Sequence, residues 1–419
     1  MASTDPLTDV VRAVRDALDG GPAYAPQPRL SDAVPPPGTA LVLRTSGSTG
    51  DPREVALSAA ALRASARATH ERLGGSGSWL LVLPPTHVAG VQVITRSLVT
   101  GRGVYPHTLD RFTPAGFAAV ATDFADLLAH GPRAYVSLVP TQLHRLVTAA
   151  EGGDAAGLDA LTRFDAVLVG GAATPAPLLA AARAAGVRVV TTYGMSETSG
   201  GCVYDGVPLA GVRVRAAGAE PEAGRGPTPG SGGVVELSGP MLAEGYVGAP
   251  SATAAAFRTD PDGVRWFRTS DLGRLDDGRL TILGRADDVI LTGGVNVAPA
   301  AVEDAIAEHL AGLGSPGEAC VVGVPDPEWG QAVVAVVAVG RAPSGRVPAG
   351  GPGLTDSGGE LLAGLRSAVG QRLGSPAAPR RVYVTAALPT RGPGKVDRRA
   401  VRDAVVRAER MAGREPVRP

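Results

Sequence analysis

Four segments hold residue types able to handle a phosphorylated nucleotide. The first is Thr45-Ser46-Gly47-Ser48-Thr49-Gly50-Asp51-Pro52-Arg53. Its hydroxyls and glycines let backbone and side-chain donors crowd round a phosphate, and Arg53 can grip one through two donors. The Gly-Lys-Ser/Thr ending of a Walker loop is missing, which removes a P-loop kinase. A plain Ser/Gly loop would show the same run. The second is Thr191-Thr192-Tyr193-Gly194-Met195-Ser196-Glu197-Thr198 at the end of an expected strand. Glu197 can hold Mg²⁺ by its carboxylate, and Tyr193 can stack on a base. A strand end with a capping serine is the plain alternative. A nucleophile elbow does not fit, because Thr198 stands where its last glycine belongs. The third is Arg268-Thr269-Ser270-Asp271-Leu272-Gly273, followed by Gly284-Arg285-Ala286-Asp287-Asp288. Asp271 can accept from two ribose hydroxyls and Arg285 can meet a phosphate, although turns use the same residues. The fourth is the loop Pro389-Thr390-Arg391-Gly392-Pro393-Gly394-Lys395-Val396-Asp397. Lys and Arg together number 40 and Lys395 is the only lysine, so the other 39 are arginine. A compact ammonium on a flexible stem can do what a planar fork cannot. Arginine preference is also a compositional habit of this chain.

These loops need rigid elements to hold them. From about residue 40 to 200, short apolar runs alternate with helical patterns. Strands are expected at 40–43, 79–83, 134–139, 166–169 and 187–191, and helices at 58–73, 88–99, 114–128, 140–148 and 175–185. Such alternation implies right-handed crossovers and a mainly parallel sheet, with the site beyond the carboxyl ends of the strands. Leu7, Val10, Val11, Val14 and Leu18 recur at helical spacing behind Pro6, which suits a first helical position. Residues 22–38 read as a Pro-rich connector. From 206 to 284 the pattern turns strand-rich, with Asp277-Gly278 as a hairpin turn. After Arg285 a second unit begins, with a helix near 299–310 and a strand near 320–324. Residues 341–359 read as a flexible insertion. The expected fold is α/β. A large N-terminal domain over 1–285 has mainly parallel sheets plus a β-rich subdomain. A small mobile α+β domain over 286–419 carries the lysine loop.

At 419 residues the chain has room for two or three domains, and 44% apolar residues make it globular. Forty basic and forty acidic residues leave no net charge, which argues against nucleic acid or an anionic membrane as main partner. The two cysteines, Cys202 and Cys320, make neither a disulfide framework nor a metal cluster, and Cys202 reads as a packed thiol. No apolar run is long enough to cross a bilayer. The N-terminus carries Asp5 and Asp9 and no secretory pattern, so a cytoplasmic protein is expected.

The four segments, in this order over about residues 40–400, resemble the adenylate-forming acyl-CoA synthetase superfamily. The resemblance implies that Thr45, Ser46, Gly47, Ser48, Thr49, Gly50 and Arg53 grip the phosphates of ATP, with Arg53 standing where the family usually has lysine. It implies that Thr192, Tyr193 and Gly194 hold adenine over a floor of Gly170, Gly171 and Ala172. Ser196 would add a hydroxyl, Glu197 the Mg²⁺ ligand, Asp271 the ribose contact and Arg285 a phosphate contact. Lys395 would bridge the acyl carboxylate and the α-phosphate. Asp287 would be the hinge of a rotating C-terminal domain, and Gly293-Gly294 would let the pantetheine arm of CoA approach. A plain tight turn is the alternative for that glycine pair.

A narrower resemblance joins the stretch Leu83 to Gly90 and Arg96, Ser137 to Leu143, and Glu197 to Gly206. These look like the ligases that join o-succinylbenzoate to CoA for menaquinone, in their short actinobacterial form. The substrates and cofactors it implies are o-succinylbenzoate, ATP, CoA and Mg²⁺, with His87, Gly90, Arg96 and Thr141 as candidate acid-binding residues. Arg96 would meet the carboxylate that does not react, or else be a solvated charge on a helix face. In a regular helix His87 and Arg96 fall about half a turn out of phase, so periodicity does not put both on one pocket. His87 reads equally as a positioning histidine. Two other functions stay open: an adenylating enzyme for a different acid, and a nucleotide-binding protein without catalysis. Glu197, Asp271, Arg285 and Lys395 together argue against the second. Whether the chain forms a homo-oligomer is open.

Overall fold

Helical crossovers return the chain to the same edge of a sheet each time, and this makes the strands parallel. The protein is described by a computed structural model over residues 6–45, 52–106, 112–129, 131–218, 232–314, 317–339, 353–391 and 395–412. It has two compact units. One comprises Met1–Thr174, Leu178–Thr269 and Gly273–Thr281; the other Pro175–Pro177, Ser270–Leu272 and Ile282–Pro419.

The first unit is built on a seven-stranded sheet. Its order is Tyr105–Pro106, Gly77–Leu81, Arg133–Leu138, Ala166–Gly170, Val189–Met195, Gly200–Tyr204 and Val207–Pro208. The first five strands are parallel, Gly200–Tyr204 turns back antiparallel to them, and Val207–Pro208 is antiparallel to it in turn. Alternation along the strands sends Trp79, Leu81 and Tyr135 to one apolar core, and Leu80, Val136 and Leu138 to the other. The helices Pro6–Leu18, Ala59–Arg72 and Val88–Val99 bury their apolar sides in the first core, and Pro114–Leu127 and Pro140–Glu151 theirs in the second. Ser58 starts Ala59–Arg72 by accepting the Ala61 N–H on its Oγ. The helix Ala156–Thr162 was not legible, because seven residues are too few for a 3.6 period to declare itself.

One strand differs from expectation in a way that matters. The run expected over 187–191 extends to Met195, because Gly200–Tyr204 folds back along it, pairing Thr192 with Tyr204 and Met195 with Gly200. The Tyr-Gly-Met segment is therefore strand, not the loop after one.

Two antiparallel sheets complete this unit. Thr39–Arg44, Glu54–Ser58 and Gly245–Tyr246 form the first. The Pro-rich connector straps it: Tyr24 bridges to Leu41, and Arg29 Nε and the Leu30 N–H both donate to Glu54 Oε1 at 2.7 Å. The second runs Arg213–Ala217, Gly233–Ser238, Arg265–Asp276 and Phe257–Thr259, with Arg279–Arg285 also paired to Arg265–Asp276. The Asp277-Gly278 turn is as expected, with φ of 47° and 76° at the two positions. In this sheet the Arg215 guanidinium lies 4.0 Å from the Trp266 ring centroid.

In the second unit Gly330–Val339 pairs with Gly317–Asp326, Arg381–Thr385 and Ile290–Thr292. The helices Pro299–Gly312 and Gly359–Leu373 pack one face, and Arg398–Met411 the other. Thr355–Asp356 is a short strand against Arg381–Thr385, inside the stretch expected as an insertion; residues 340–352 lie outside the described ones. Arg380 covers the Trp329 ring at 3.8 Å. Among the described residues no helix is long and apolar enough to cross a membrane.

A polar knot is buried in the first core. Trp79 Nε1 donates to His70 Nε2 at 3.0 Å, and the Arg96 guanidinium lies 4.7 Å from the Trp79 ring centroid. Burial, with the nearby charges of Arg96 and Arg102, lowers the His70 pKa to about 4. His70 is thus neutral in the fold and must stay so to accept from Trp79. A folded pKa below the ordinary 6.5 gives stability that is complete above about pH 6.5 and drains away as the pH falls toward 4. The melting temperature is expected to drop between pH 6.5 and 5, above the range of ordinary carboxylates. His70→Gln, which cannot charge, should flatten that slope; an equal slope in both proteins would refute the assignment.

Candidate functional site

Register places the expected nucleotide and acid segments of the first unit on one edge of the large sheet. Leu138 pairs with Val169, and Gly170 with Thr192. The turns holding His87, Thr141 and Gly170 to Ala172 all follow carboxyl ends of neighbouring parallel strands, where ligands bind in such sheets. Gly170 has no room for a side chain: a Cβ there would stand 2.1 Å from Thr192 Oγ1 and 2.8 Å from the Thr192 carbonyl oxygen. Gly171 and Ala172 are exposed beside it, and Tyr193 is half-buried.

The first loop spans a hairpin. The Thr45 N–H donates to the Arg53 carbonyl at 2.8 Å, and the Arg53 N–H donates to Thr45 Oγ1 at 3.1 Å. Ser46, Gly47, Ser48, Thr49 and Gly50 lie outside the described residues. What is described is the closed base of the loop, and it connects to the acidic turn. Arg53 lies 5.0 Å from the ring centroid of Tyr246, and Tyr246 Oη donates to Glu197 Oε1 at 2.9 Å. Burial and the Glu197 charge push the Tyr246 phenol well above its usual range, so it stays a donor. Thr45, Arg53, Tyr246 and Glu197 thus form one connected group. Tyr246 was missed by the sequence reading, since a lone Gly-Tyr pair carries no signal of the turn it will meet.

Ser196, Glu197 and Thr198 form a single 3-10 turn. Thr198 Oγ1 accepts the Met195 N–H at 2.9 Å and donates to the Gly200 carbonyl at 2.7 Å. The Ala243 N–H donates to the Glu197 carbonyl. A carboxylate held in this way is a hard oxygen donor on a fixed backbone, which suits Mg²⁺.

The acid-binding candidates separate. The helix Val88–Val99 is regular and His87 is its N-cap residue, half-buried, with Nδ1 3.0 Å from Thr86 Oγ1. Gly90 has a structural reason: a Cβ there would stand 2.2 Å from the Pro84 carbonyl oxygen. Arg96 is not a solvated charge. It is 4% exposed, lies against Trp79 and donates from Nη2 to Tyr204 Oη at 3.2 Å. Burial lowers its pKa. Thr141 is half-buried in the first turn of Pro140–Glu151. Cys202 is a packed thiol, raised by burial to about 12.

The remaining candidates belong to the second unit. Arg285 forks onto Asp287 with both bonds at 2.8 Å, and its Nη1 is 3.7 Å from Asp271. Burial opposes its charge, but Asp287, Asp271 and Asp288 outweigh that and hold its pKa above the usual value. Gly293 and Gly294 make a two-residue hairpin turn, with φ of 55° and 78°. A Cβ on Gly293 would reach 2.6 Å from the Trp329 ring. Lys395 pairs with Arg391 in a short antiparallel ladder, and the Asp397 N–H donates to the Pro389 carbonyl. Asp397 then caps Arg398–Met411 through the Ala400 N–H. Arg398, also missed, anchors this helix: it pairs with Glu303, lies 3.3 Å from Asp288 and donates to the Val321 carbonyl at 2.6 Å.

Residues 4–247 match the family model of the AMP-binding enzymes, and residues 301–395 that of their C-terminal domain. A probable 2-succinylbenzoate–CoA ligase of Mycobacterium tuberculosis is 45% identical over 404 residues, which cover 96% of this chain and 92% of that one. The solved o-succinylbenzoate CoA synthetase of Bacillus subtilis, in complex with the acyl-adenylate intermediate OSB-AMP, has a TM-score of 0.66 and 26% identity, covering 87% of this chain and 69% of that one. The same Bacillus enzyme with ATP and magnesium ion gives 0.65 and 25%, over 86% and 69%. Removing the hydroxyl that steadies Glu197, in Tyr246→Phe, is expected to weaken Mg²⁺-dependent ATP binding on the order of tenfold, the scale of a hydrogen bond to a charged group. Calorimetric titration with ATP at fixed Mg²⁺ checks this; unchanged affinity would count against the connected group.

Proposed function

The chain belongs to the family of AMP-binding enzymes, and on that premise we propose that it is an acid–thiol ligase joining 2-succinylbenzoate to CoA with ATP. The 45% identity along 96% of the chain with a ligase named for that acid carries the reading. The reaction has two halves. The succinyl carboxylate attacks the α-phosphorus of ATP, giving acyl-adenylate and pyrophosphate. The CoA thiolate then attacks the acyl carbon and AMP leaves.

The first half brings two anions together. Two unit charges 4 Å apart repel by about 4 kcal/mol at an effective dielectric of about 20. Cations fixed in advance turn that repulsion into attraction. In this reading Lys395 is the cation placed between carboxylate and α-phosphate. Arg53 and the loop from Thr45 to Gly50 hold the β- and γ-phosphates, and Arg285 meets a phosphate. Asp271 accepts from the ribose hydroxyls. Thr192, Tyr193 and Gly194 hold adenine above Gly170, Gly171 and Ala172, and Ser196 adds a hydroxyl. Glu197 is the residue that would hold Mg²⁺, which when bound neutralises phosphate charge. His87, Gly90 and Thr141 shape the acid pocket, while Arg96 is buried against Trp79 and Tyr204 rather than facing it. Asp287 is the hinge that withdraws Lys395 before CoA enters past Gly293 and Gly294, a single position absorbing the dihedral change.

Pyrophosphate release with ATP and Mg²⁺ is expected to require 2-succinylbenzoate, and addition of CoA should yield the thioester. Lys395→Ala should lose the first half-reaction by about a hundred- to a thousandfold. Release with a different acid alone would keep the ligase and replace its substrate. If no acid supports release, the reading becomes a nucleotide-binding protein without catalysis.

A further inference from the structure

Directly after the acidic turn the chain enters a conformation that serine disfavours. Ser199 has φ 51° and ψ 36°, in the left-handed region. A non-glycine residue stays there only where its surroundings over-determine it. Ser199 is fully buried and held from every side. Its N–H closes onto the Ser196 carbonyl at 3.0 Å, and its Oγ donates to the Met241 carbonyl at 2.8 Å. Its own carbonyl accepts twice, from Ser65 Oγ at 3.0 Å and from Gln92 Nε2 at 2.6 Å. The next residue, Gly200, lies against the stem of the same side chain: a Cβ there would meet Gln92 Cγ at 3.2 Å.

Gln92 is an expensive choice for this place. It is fully buried on Val88–Val99, and among the described residues its buried Oε1 has no hydrogen-bond partner. The Ser199 carbonyl can only accept, so the amide nitrogen must face it and the orphan must be the oxygen. A buried acceptor without a donor destabilises the fold, and leucine would fill similar space without one. Packing therefore gives no reason for the amide, whereas the short bond to Ser199 does.

We propose that Gln92 is a positioning residue for Glu197: through the Ser199 carbonyl it keeps the left-handed residue in place and so fixes where the carboxylate two residues earlier points. The proposal rests on the reading of Glu197 as the Mg²⁺ ligand. It is tested with Gln92→Leu, Glu197→Gln and Ser199→Gly, alone and with Gln92→Leu. Two quantities are measured: the melting temperature, and the Mg²⁺ concentration that half-saturates ATP binding by calorimetry. Gln92→Leu is expected to leave the melting temperature unchanged or raise it, while the Mg²⁺ requirement rises on the order of fivefold, the scale of one net hydrogen bond. In the Ser199→Gly background, where the left-handed region carries no strain, the same change should have little effect. A lower melting temperature with an unchanged Mg²⁺ requirement makes Gln92 a packing residue and overturns the proposal. So does an equal shift in the Ser199→Gly background. An unchanged requirement in Glu197→Gln overturns the metal reading beneath it; a changed one there with none in Gln92→Leu overturns the positioning role alone.

Discussion

The hydrogen bond from Tyr246 to Glu197 joins two sheets that carry different parts of the candidate site. The three-stranded sheet ends in the loop after Thr45, and the seven-stranded sheet ends in the acidic turn. Neither sheet's own ladder sets the distance between those ends. The phenol does so together with the Ala243 N–H on the Glu197 carbonyl, and Arg53 lies on the phenol ring. Everything that strengthens this link sits behind it. Glu54, next to Arg53, is tied to the connector by Arg29, and the Val247 N–H donates to the Glu54 carbonyl. The short strand Gly245–Tyr246 has its place because it pairs with Glu54–Ser58.

The alternation of apolar runs gave the parallel sheet and most of its helices, because burial on both faces makes such strands continuous in hydrophobicity. It also gave the sheet edge that carries the candidate residues of the first unit. The end of the strand Val189–Met195 was not legible, since Tyr-Gly-Met has no pattern of its own and becomes strand through a partner further along the chain. The candidate residues were legible as types in motifs. Their supports were not. Tyr246, Gln92, Ser65 and Arg398 come from four separate elements and meet the motifs only in three dimensions. Arg96 shows the limit most plainly. Its spacing allowed a solvated face or a pocket, and the fold instead buries it against Trp79.

In the second unit the turn that contains Asp287 is held by arginines on both sides. Arg285 takes Asp287 with both nitrogens, and Arg398 reaches Asp288 while tying Glu303 and the Val321 carbonyl to the helix beyond Lys395. Adjacent carboxylates therefore answer to different parts of the chain. Glu303, Asp288 and the Cys320 side chain more than offset the burial that works against the Arg398 charge, so that its pKa rises. A lysine in its place could not supply two nitrogens to Glu303 in one plane.

The near-absence of lysine has an optical consequence. The chain has three tryptophans, and each lies against a guanidinium: Trp79 under Arg96 in the parallel sheet, Trp266 under Arg215 in the β-rich sheet, and Trp329 under Arg380 in the second unit. A planar cation covers an indole face as an ammonium does not. The three rings also differ in what their nitrogens meet, an imidazole for Trp79 and a carboxylate for Trp266. The protein thus carries three fluorophores with different polar surroundings, and variants that keep one of them each would follow its parts separately.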